Sequence, residues 1–236
     1  MFKKNRKKKS ITTLPRKLIT IANPKAVVSE QFKTIRTNIN FSMPDKDLKT
    51  ILITSATPSE GKSTISSNVA VVFAQEGKSV LLVDADMRKP TLHHTFRVNN
   101  TLGLANVLTR QAVLKEGIQQ TNLENLQVMT SGPIPPNPAE LLTSQMMAAT
   151  METLAQAFDV VIFDAPPILS VTDAQILSNK CDGTILVVNS GTAEKVGVVK
   201  AKEALIASQA NILGVVLNNF KLERDHYYYQ YYGSVE

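Results

Sequence analysis

A phosphate-binding motif is the clearest chemical signal in the sequence. The segment 55–64 reads Ser-Ala-Thr-Pro-Ser-Glu-Gly-Lys-Ser-Thr, after a short apolar run and before a helical pattern. A strand, a loop, Gly-Lys-Ser-Thr and a helix together form a P-loop, whose backbone N–H groups bind phosphate oxygens. We expect Lys62 to contact the β and γ phosphates, Ser63 to bind Mg²⁺ and Thr64 to contact the α phosphate. The residues predicted to bind nucleotide in the loop are Thr57, Pro58, Ser59, Glu60, Gly61, Lys62, Ser63 and Thr64.

Three aspartates follow two further apolar runs. The first run ends in Asp84-Ala-Asp86 and the second ends in Asp164. The carboxyl ends of parallel strands share one edge of a sheet, where α/β folds bind ligands, so we expect these carboxylates to converge beside Lys62. Mg²⁺ takes oxygen ligands from one or two carboxylates, waters and phosphates. The predicted metal ligands are Ser63, Asp86 and Asp164.

The elements that position these residues follow from periodicity. Short β-branched runs alternate with longer helical patterns, and the runs are apolar on both faces, which indicates a parallel sheet covered on both sides. The predicted strands are 49–54, 79–84, 126–130, 159–164, 183–189 and 212–218. Helices are expected after Ser63, ending near Gly77, from Asn137-Pro138, and after Ser170-x-x-Asp173. The fold class is α/β, a mostly parallel sheet of P-loop NTPase type with helices on both faces.

One more helix is predicted ahead of the first strand. Its apolar face is formed by Val28, Phe32, Ile35 and Ile39. The opposite side carries Glu30, Lys33 and Arg36, and spacing alone identifies such charges as a solvated face.

The charge of the chain is concentrated at its start. Of the 26 lysines and arginines in 236 residues, six lie among the first nine positions, and the other 20 balance the 20 acidic residues. The net charge of +6 therefore belongs to a tail, which argues against a broad nucleic-acid-binding face. A single cysteine, Cys181, excludes an intramolecular disulfide and a paired-thiolate metal site, and favours a reducing, cytosolic setting. No run approaches the roughly 20 apolar residues that span a bilayer, and no signal-peptide core follows the basic start.

Every tyrosine of the protein lies near the other end. Composition alone allows two interpretations of this cluster, an assembly patch or a set of chemical acceptors. The five residues, within six positions, are Tyr227, Tyr228, Tyr229, Tyr231 and Tyr232.

Three longer motifs give the family. The segments 84–90 (Asp-Ala-Asp-Met-Arg-Lys-Pro), 131–142 and 163–168 (Phe-Asp-Ala-Pro-Pro-Ile) resemble the signatures of bacterial protein-tyrosine kinases of capsular and exopolysaccharide clusters. The chain is similar, from about Pro24 onwards, to the stand-alone kinase subunit of Gram-positive bacteria. The resemblance implies ATP- and Mg²⁺-dependent phosphorylation of the C-terminal tyrosines and control of polysaccharide synthesis or export. The chain then divides into a basic flexible tail (1–17), a P-loop kinase domain (18–220) and a tyrosine-rich flexible tail (221–236).

The resemblance also assigns roles within the site. Lys62 and Ser63 match the Walker A lysine and hydroxyl, Asp84 and Asp86 match the second motif, and Asp164 matches Walker B. Because phosphoryl transfer depends on positioning and charge neutralisation, a carboxylate is expected to accept the tyrosine proton, with Asp84 the first candidate and Asp86 the second. By likeness to related ATPases, Asn218 is expected to contact adenine.

Oligomerisation and partners are further implications of the family. Glu30-x-x-Lys33-x-x-Arg36 matches its E-x-x-R-x-x-R motif, with lysine in place of the first arginine, so we expect a ring, an octamer in the family, that is weaker than usual because lysine lacks a bidentate fork. Ser59 departs from the family's glycine, whereas Ala56 is common there. The implied partners are a membrane-embedded activator, a cognate phosphatase and other protein substrates. The expected location is the cytoplasm, at the inner face of the membrane.

Two alternatives stay open at this stage. A partition or division-site ATPase switch shares the fold, but it carries a signature lysine at the position of Thr57 and has no use for a tyrosine cluster. A nucleic-acid-binding module would use the basic tail, whose attraction to anionic lipid we favour instead. We assign no role to His93 and His94, expected in a surface loop, and consider Cys181 structural.

Overall fold

The computed structural model describes residues 18–43 and 48–220. The strands are β1 Thr50–Ser55, β2 Val80–Asp84, β3 Ile118–Gln120, β4 Leu126–Met129, β5 Val160–Asp164, β6 Gly183–Asn189 and β7 Ile212–Asn218. The helices of this region are α1 Ile19–Ala22, α2 Val27–Ser42, α3 Lys62–Gln75, α4 Leu92–Phe96, α5 Leu104–Leu108, α6 Pro138–Thr143, α7 Gln145–Ala157, α8 Asp173–Lys180 and α9 Lys195–Ala207. A 3₁₀ turn spans Leu114–Gly117.

The strands form one sheet in the order β3-β4-β2-β5-β1-β6-β7. Every neighbouring pair is parallel except β3 with β4, which confirms the predicted α/β class. The six predicted strands are present, with ends within one residue of the predicted ones. The sequence does not predict β3, because Ile-Gln-Gln is too short and too polar to show an alternating pattern.

Helices cover both faces of the sheet. In β1, Ile51 and Ile53 belong to a core shared with α2 and α3, while Leu52 points into a second core shared with α7, α8 and α9. All three side chains are fully buried. Burial of an aliphatic side chain contributes about 1.5–3 kcal/mol, so a strand that is apolar on both faces is stable only between two layers.

Helix α2 confirms most of its predicted apolar face. Phe32 and Ile39 are buried in the core beside α3, and Ile35 packs against it. Val28 is 46% exposed, so that prediction was wrong at this position. Val28 lies in the first turn of α2, ahead of the region that rests on α3.

The predicted helix ends are confirmed with small differences. Helix α3 stops two residues before Gly77, whose φ of 89° allows the chain to turn out of the helix. Asn137 precedes α6, but its side chain pairs with Glu140 instead of capping a backbone N–H. Helix α8 begins at Asp173, the last residue of the predicted start signal Ser170-x-x-Asp173.

The topology brings the chemical residues to one edge. β2, β5 and β1 are consecutive neighbours and run in the same direction, so their carboxyl ends lie side by side. The P-loop follows β1, and aspartates terminate β2 and β5. This is the arrangement that the strand pattern predicts.

Within residues 18–43 and 48–220, no helix is long and apolar enough to cross a bilayer.

The two predicted tails, 1–17 and 221–236, lie outside the described residues, together with the basic cluster and all the tyrosines. The predicted domain boundaries therefore stay predictions.

Candidate active site

The backbone of the P-loop has a positive φ at two positions, Ser59 and Gly61. Gly61, immediately before α3, has a φ of 96°, and a Cβ there would lie 2.1 Å from Nδ2 of Asn218, so only glycine fits. Ser59 also has a positive φ, 68°, which costs a residue with a Cβ about 1–2 kcal/mol. The serine at position 59 therefore adopts the left-handed backbone that suits the glycine expected from the resemblance.

Lys62 is surrounded by carboxylates. Its Nζ atom lies 2.9 Å from Oδ2 of Asp86 and 3.9 Å from Oδ1 of Asp164, and its side chain is 12% exposed. Burial acts to lower the pKa of Lys62, but attraction by Asp164 and Asp86 outweighs it, so the pKa lies above its usual value. Lys62 also lies 3.5 Å from the hydroxyl of Ser63. The predicted convergence on Lys62 is thus present in the fold.

Asp84 is the third carboxylate that acts on Lys62. Its carboxylate is fully buried, and its Oδ2 atom accepts hydrogen bonds of 2.9 Å from the backbone N–H groups of Thr91 and Leu92. Its Oδ1 atom has no hydrogen-bond partner among the described residues. Burial, and then repulsion from Asp164 opposite it in β5, raises the pKa of Asp84 to about 7. Asp84 is therefore poised to exchange a proton near neutral pH.

A cleft of about 630 Å³ opens above these residues. Lys62, Ser63 and Asp86 line it, while Asp84 and Asp164 lie behind its wall. The other lining residues are Pro58, Ser59, Gly61, Thr64, Arg88, Lys89, Thr91, Pro166, Pro167, Ser170 and Val171. Loop amides, the N-terminus of α3 and a buried lysine in one cleft suit a polyphosphate.

Three predicted nucleotide ligands lie outside this lining. Glu60 is 2% exposed and accepts hydrogen bonds from the N–H and hydroxyl groups of Thr57. Asn218, at the end of β7, donates a 2.9 Å hydrogen bond to the carbonyl oxygen of Glu60. The side chains of these residues support the loop, and a contact of Asn218 with adenine stays a prediction.

Sequence reasoning missed an ion pair in the cleft wall. Nε and Nη2 of Arg88 each donate a 2.9 Å hydrogen bond to Asp173, which is fully buried at the start of α8. Arg88 lies in the motif 84–90 and Asp173 in the helix-start signal Ser170-x-x-Asp173. The two residues are 85 positions apart, and no sequence pattern predicts a pairing over that distance. The pair ties the loop after β2 to the helix that follows β5.

We expect Arg88→Ala to lower the free energy of unfolding by about 2 kcal/mol, because it leaves the buried Asp173 carboxylate without its cation. Urea denaturation measures the change. Lys89→Ala, at the exposed neighbouring position, is the control and should alter stability by less than about 0.5 kcal/mol. Equal effects of the two substitutions would contradict this role of Arg88.

The predicted oligomerisation residues differ in their surroundings. Glu30 and Lys33 form an exposed ion pair of 2.7 Å along α2. Arg36 instead contacts α3. Its Nη1 atom donates a 2.9 Å hydrogen bond to the carbonyl oxygen of Val72, and its Nε atom lies 3.6 Å from Oε2 of Glu76. Arg36 therefore joins two helices of the same subunit, while Glu30 and Lys33 remain on the surface.

The structure also places the two histidines and the cysteine to which the sequence assigns no chemical role. His93 and His94 lie in α4, so their expected place in a surface loop was wrong, and their ring centroids lie 3.8 Å apart with the ring planes tilted by 43°. Cys181 is buried after α8, and burial raises the pKa of its thiol, which suits a structural residue.

Comparison with known proteins gives the family. Residues 48–211 match the AAA domain family. Tyrosine-protein kinase YwqD of Bacillus subtilis is 51% identical over 221 residues, covering 94% of this chain and 93% of that protein. Putative tyrosine-protein kinase CapB of Staphylococcus aureus is 41% identical over 211 residues, 89% of this chain and 92% of its own length. The crystal structure of the chimerical protein CapA2B2 superposes with a TM-score of 0.84 at 46% identity, covering 87% of this chain and 90% of that one.

The alternative of a division-site ATPase is less well supported. The cell division ATPase MinD of Pyrococcus furiosus has a TM-score of 0.64 at 25% identity, with 75% of this chain and 74% of that chain covered. It shares the P-loop fold, whereas the kinases agree over almost the whole chain. The predicted resemblance is confirmed, and the chain belongs to the bacterial tyrosine-protein kinases.

Proposed function

We propose that this kinase transfers the γ-phosphoryl group of ATP to its own C-terminal tyrosines. The observation that supports this most directly is the buried Lys62, held between Asp86 and Asp164 at the mouth of a P-loop. The proposed acceptors, outside the described residues, are Tyr227, Tyr228, Tyr229, Tyr231 and Tyr232. Other protein substrates are proposed on the family's pattern.

The residues present fit both ATP and Mg²⁺. The loop from Thr57 to Thr64 and the start of α3 would hold the phosphates, and Lys62 would exchange Asp86 for the γ-phosphate. Ser63, Asp86 and Asp164 would hold Mg²⁺, which supplies charge neutralisation on the phosphate oxygens when it is bound. Two carboxylates and a hydroxyl beside a phosphate site form a donor set that suits a hard cation.

Two carboxylates are candidates for the proton acceptor. Asp84 has a pKa of about 7 and a carboxylate oxygen without a hydrogen-bond partner in the described part of the chain, as a general base requires. It is fully buried, so the loop after β2 must move before a tyrosine hydroxyl reaches it. Asp86 already lines the cleft but is bound to Lys62. We propose Asp84 as the acceptor, with Asp86 second.

We further propose that phosphorylation occurs in trans within a ring, with Glu30, Lys33 and Arg36 at or beside the subunit boundary. About a dozen extended residues reach roughly 40 Å, enough to enter a neighbouring site. Each phosphotyrosine adds about −1.5 to −2 charges, so several of them at a boundary would favour disassembly. The exposed Glu30 and Lys33 are available for such contacts, whereas Arg36 would have to leave α3 or act through it.

The remaining proposals concern partners and place. We propose a membrane-embedded activator whose cytoplasmic tail docks on the kinase, a cognate tyrosine phosphatase and a role in capsular or exopolysaccharide production. The kinase would then work in the cytoplasm at the inner face of the membrane. The family of the relatives supports these proposals.

Trans-phosphorylation can be measured directly by mixing two full-length variants. The donor carries phenylalanine at all five tyrosine positions and the acceptor carries Lys62→Met. With ATP, Mg²⁺ and the activator's tail, we expect phosphate on the acceptor's tyrosines, because the donor retains its site and the acceptor retains its tail. Mass spectrometry maps the sites. The acceptor alone is the control.

An unlabelled acceptor in a mixture where wild-type protein labels itself would show that transfer is intramolecular. Light scattering of wild-type protein before and after ATP addition tests the ring. A phosphorylated wild-type ring as stable as the unmodified one would argue against the disassembly step.

A further inference from the structure

A buried carboxylate lies directly behind the phosphate-binding loop. Glu60 precedes Gly61 in the loop, is 2% exposed and does not line the cleft. Its Oε1 atom accepts a 2.9 Å hydrogen bond from the N–H group of Thr57 and a second one from the hydroxyl of the same residue. Its Oε2 atom is buried and has no hydrogen-bond partner among residues 18–43 and 48–220.

These contacts close the loop on itself. Thr57 and Glu60 are three residues apart, and their bonds fold the intervening turn, in which Ser59 adopts its left-handed backbone. The hydroxyl of Ser55 donates to the carbonyl oxygen of Thr57, and Asn218 holds the carbonyl oxygen of Glu60. The N–H group of Thr57 is therefore already occupied by the carboxylate of Glu60.

The position of the carboxylate also has an electrostatic consequence. The loop amides and the N-terminus of α3 create a positive potential that attracts anions. The Oε2 atom of Glu60 is buried without a hydrogen-bond partner among the described residues, so a negative charge on this carboxylate is poorly solvated. In such surroundings the charge is weakly screened and opposes the positive potential of the loop. The next residues of the loop, Gly61 and Lys62, line the cleft, so a phosphate bound there would meet the charge of Glu60 as a nearby like charge.

We infer that Glu60 is a positioning residue that sets nucleotide affinity: its hydrogen bonds to Thr57 shape the P-loop, and its charge weakens the binding of ATP and ADP. This inference rests on the proposed use of the loop for nucleotide. The shape and the charge have opposite effects on affinity, so substitutions that separate them have opposite signs. Weakened binding of ADP favours release of the product after each transfer.

Glu60→Gln separates the two roles because it keeps an acceptor for Thr57 and removes the charge. Isothermal titration calorimetry of the full-length variant with ADP is expected to show binding about fivefold tighter than in wild type. Inorganic pyrophosphate, which lacks the nucleoside, should show the same ratio. Unchanged or weaker binding of both probes would overturn the inference, because a purely structural glutamate predicts no gain.

Two further variants serve as controls. Thr57→Val leaves the charge in place and removes one hydrogen bond, so it should bind ADP no more tightly than wild type. Glu60→Met removes the charge at similar volume and replaces Glu60→Gln if that variant does not fold, as circular dichroism shows. Because Glu60→Met also loses the acceptor, it is compared with Thr57→Val, which loses a hydrogen bond of the same pair but keeps the charge. Glu60→Met is expected to bind ADP more tightly than Thr57→Val, and equal or weaker binding would overturn the inference.

The outcome is separable from failure of the proposed function. Wild-type protein that binds neither ADP nor pyrophosphate would refute the nucleotide site itself. Wild-type protein that binds both, with no tighter binding by Glu60→Gln, would refute only the role of Glu60.

Discussion

Replacing Lys62 by methionine is expected to reduce tyrosine phosphorylation about 1,000-fold. Lys62 is the cation that lies between the P-loop and the carboxylates, 2.9 Å from Asp86. In the proposed reaction it stabilises charge on the transferring phosphoryl group, and removal of one preorganised donor of this kind costs about 100- to 1,000-fold in rate. Methionine matches the length of lysine without its charge. Site mapping after incubation with ATP and the activator's tail measures the loss.

Lys89→Met is the matched control. Lys89 lines the same cleft but is exposed, and its backbone N–H, not its side chain, bonds to Asp86. We expect this variant to keep at least about one third of the activity. Tyrosine phosphate that persists in Lys62→Met at the wild-type rate would refute the proposed mechanism.

A second effect of Lys62→Met, on stability, has to be separated from its effect on the chemistry. Lys62 is one of the charges that lower the pKa of Asp84, although burial is the larger influence and raises it. Without the lysine, Asp84, Asp86 and Asp164 face each other uncompensated, so the variant should also lose stability at neutral pH. Circular dichroism of the folded state must therefore accompany the activity measurement.

The sequence predicts the site to the extent that parallel topology determines it. A parallel strand has one carboxyl end, so a P-loop after β1 and aspartates after β2 and β5 must share an edge once these strands are neighbours. The apolar runs are long and buried on both faces, which makes their strand character clear. The sequence does not predict β3, because an edge strand of three residues needs little apolar surface.

Contacts between loops could not be predicted in this way. Arg88 meets Asp173, and Asn218 meets Glu60, across separations that no periodicity encodes. Their partners depend on where loops of unequal length fold above the sheet edge. The same applies to Arg36, which spacing places on a charged helix face but which reaches the end of α3. Residue type reveals that such groups need partners but does not identify them.

Asp84→Asn is expected to make the nucleotide-free protein more stable at pH 8 while it lowers the phosphorylation rate about 100-fold or more. Asp84 is fully buried, and burial with the nearby Asp164 raises its pKa to about 7 from a usual value of 3.8. The ionised form of Asp84 therefore destabilises the folded state. This is the pattern expected of a group retained for chemistry at the expense of stability.

The sign of the pH dependence follows from proton binding. Between about pH 4 and pH 7 the folded protein holds a proton on Asp84 that the unfolded chain has released, so stability from this group falls as pH rises across that range. The full difference corresponds to about 4 kcal/mol. Asparagine never ionises, but its amide nitrogen would replace the unpartnered Oδ1, and a buried donor without a partner costs about 1–3 kcal/mol. The net gain at pH 8 is therefore about 1–3 kcal/mol.

Urea denaturation at pH 5 and pH 8 measures this effect, and the gain of Asp84→Asn over wild type should grow by about 2–3 kcal/mol between the two. Asp86→Asn is the matched control, because it removes the partner of Lys62 and should destabilise the protein at pH 8. If Asp84 accepts the tyrosine proton, its variant loses activity at every pH while Asp86→Asn retains a pH-dependent remainder. A stabilised Asp84→Asn that phosphorylates at the wild-type rate would instead assign the proton to Asp86, the only other candidate among the carboxylates proposed for that role.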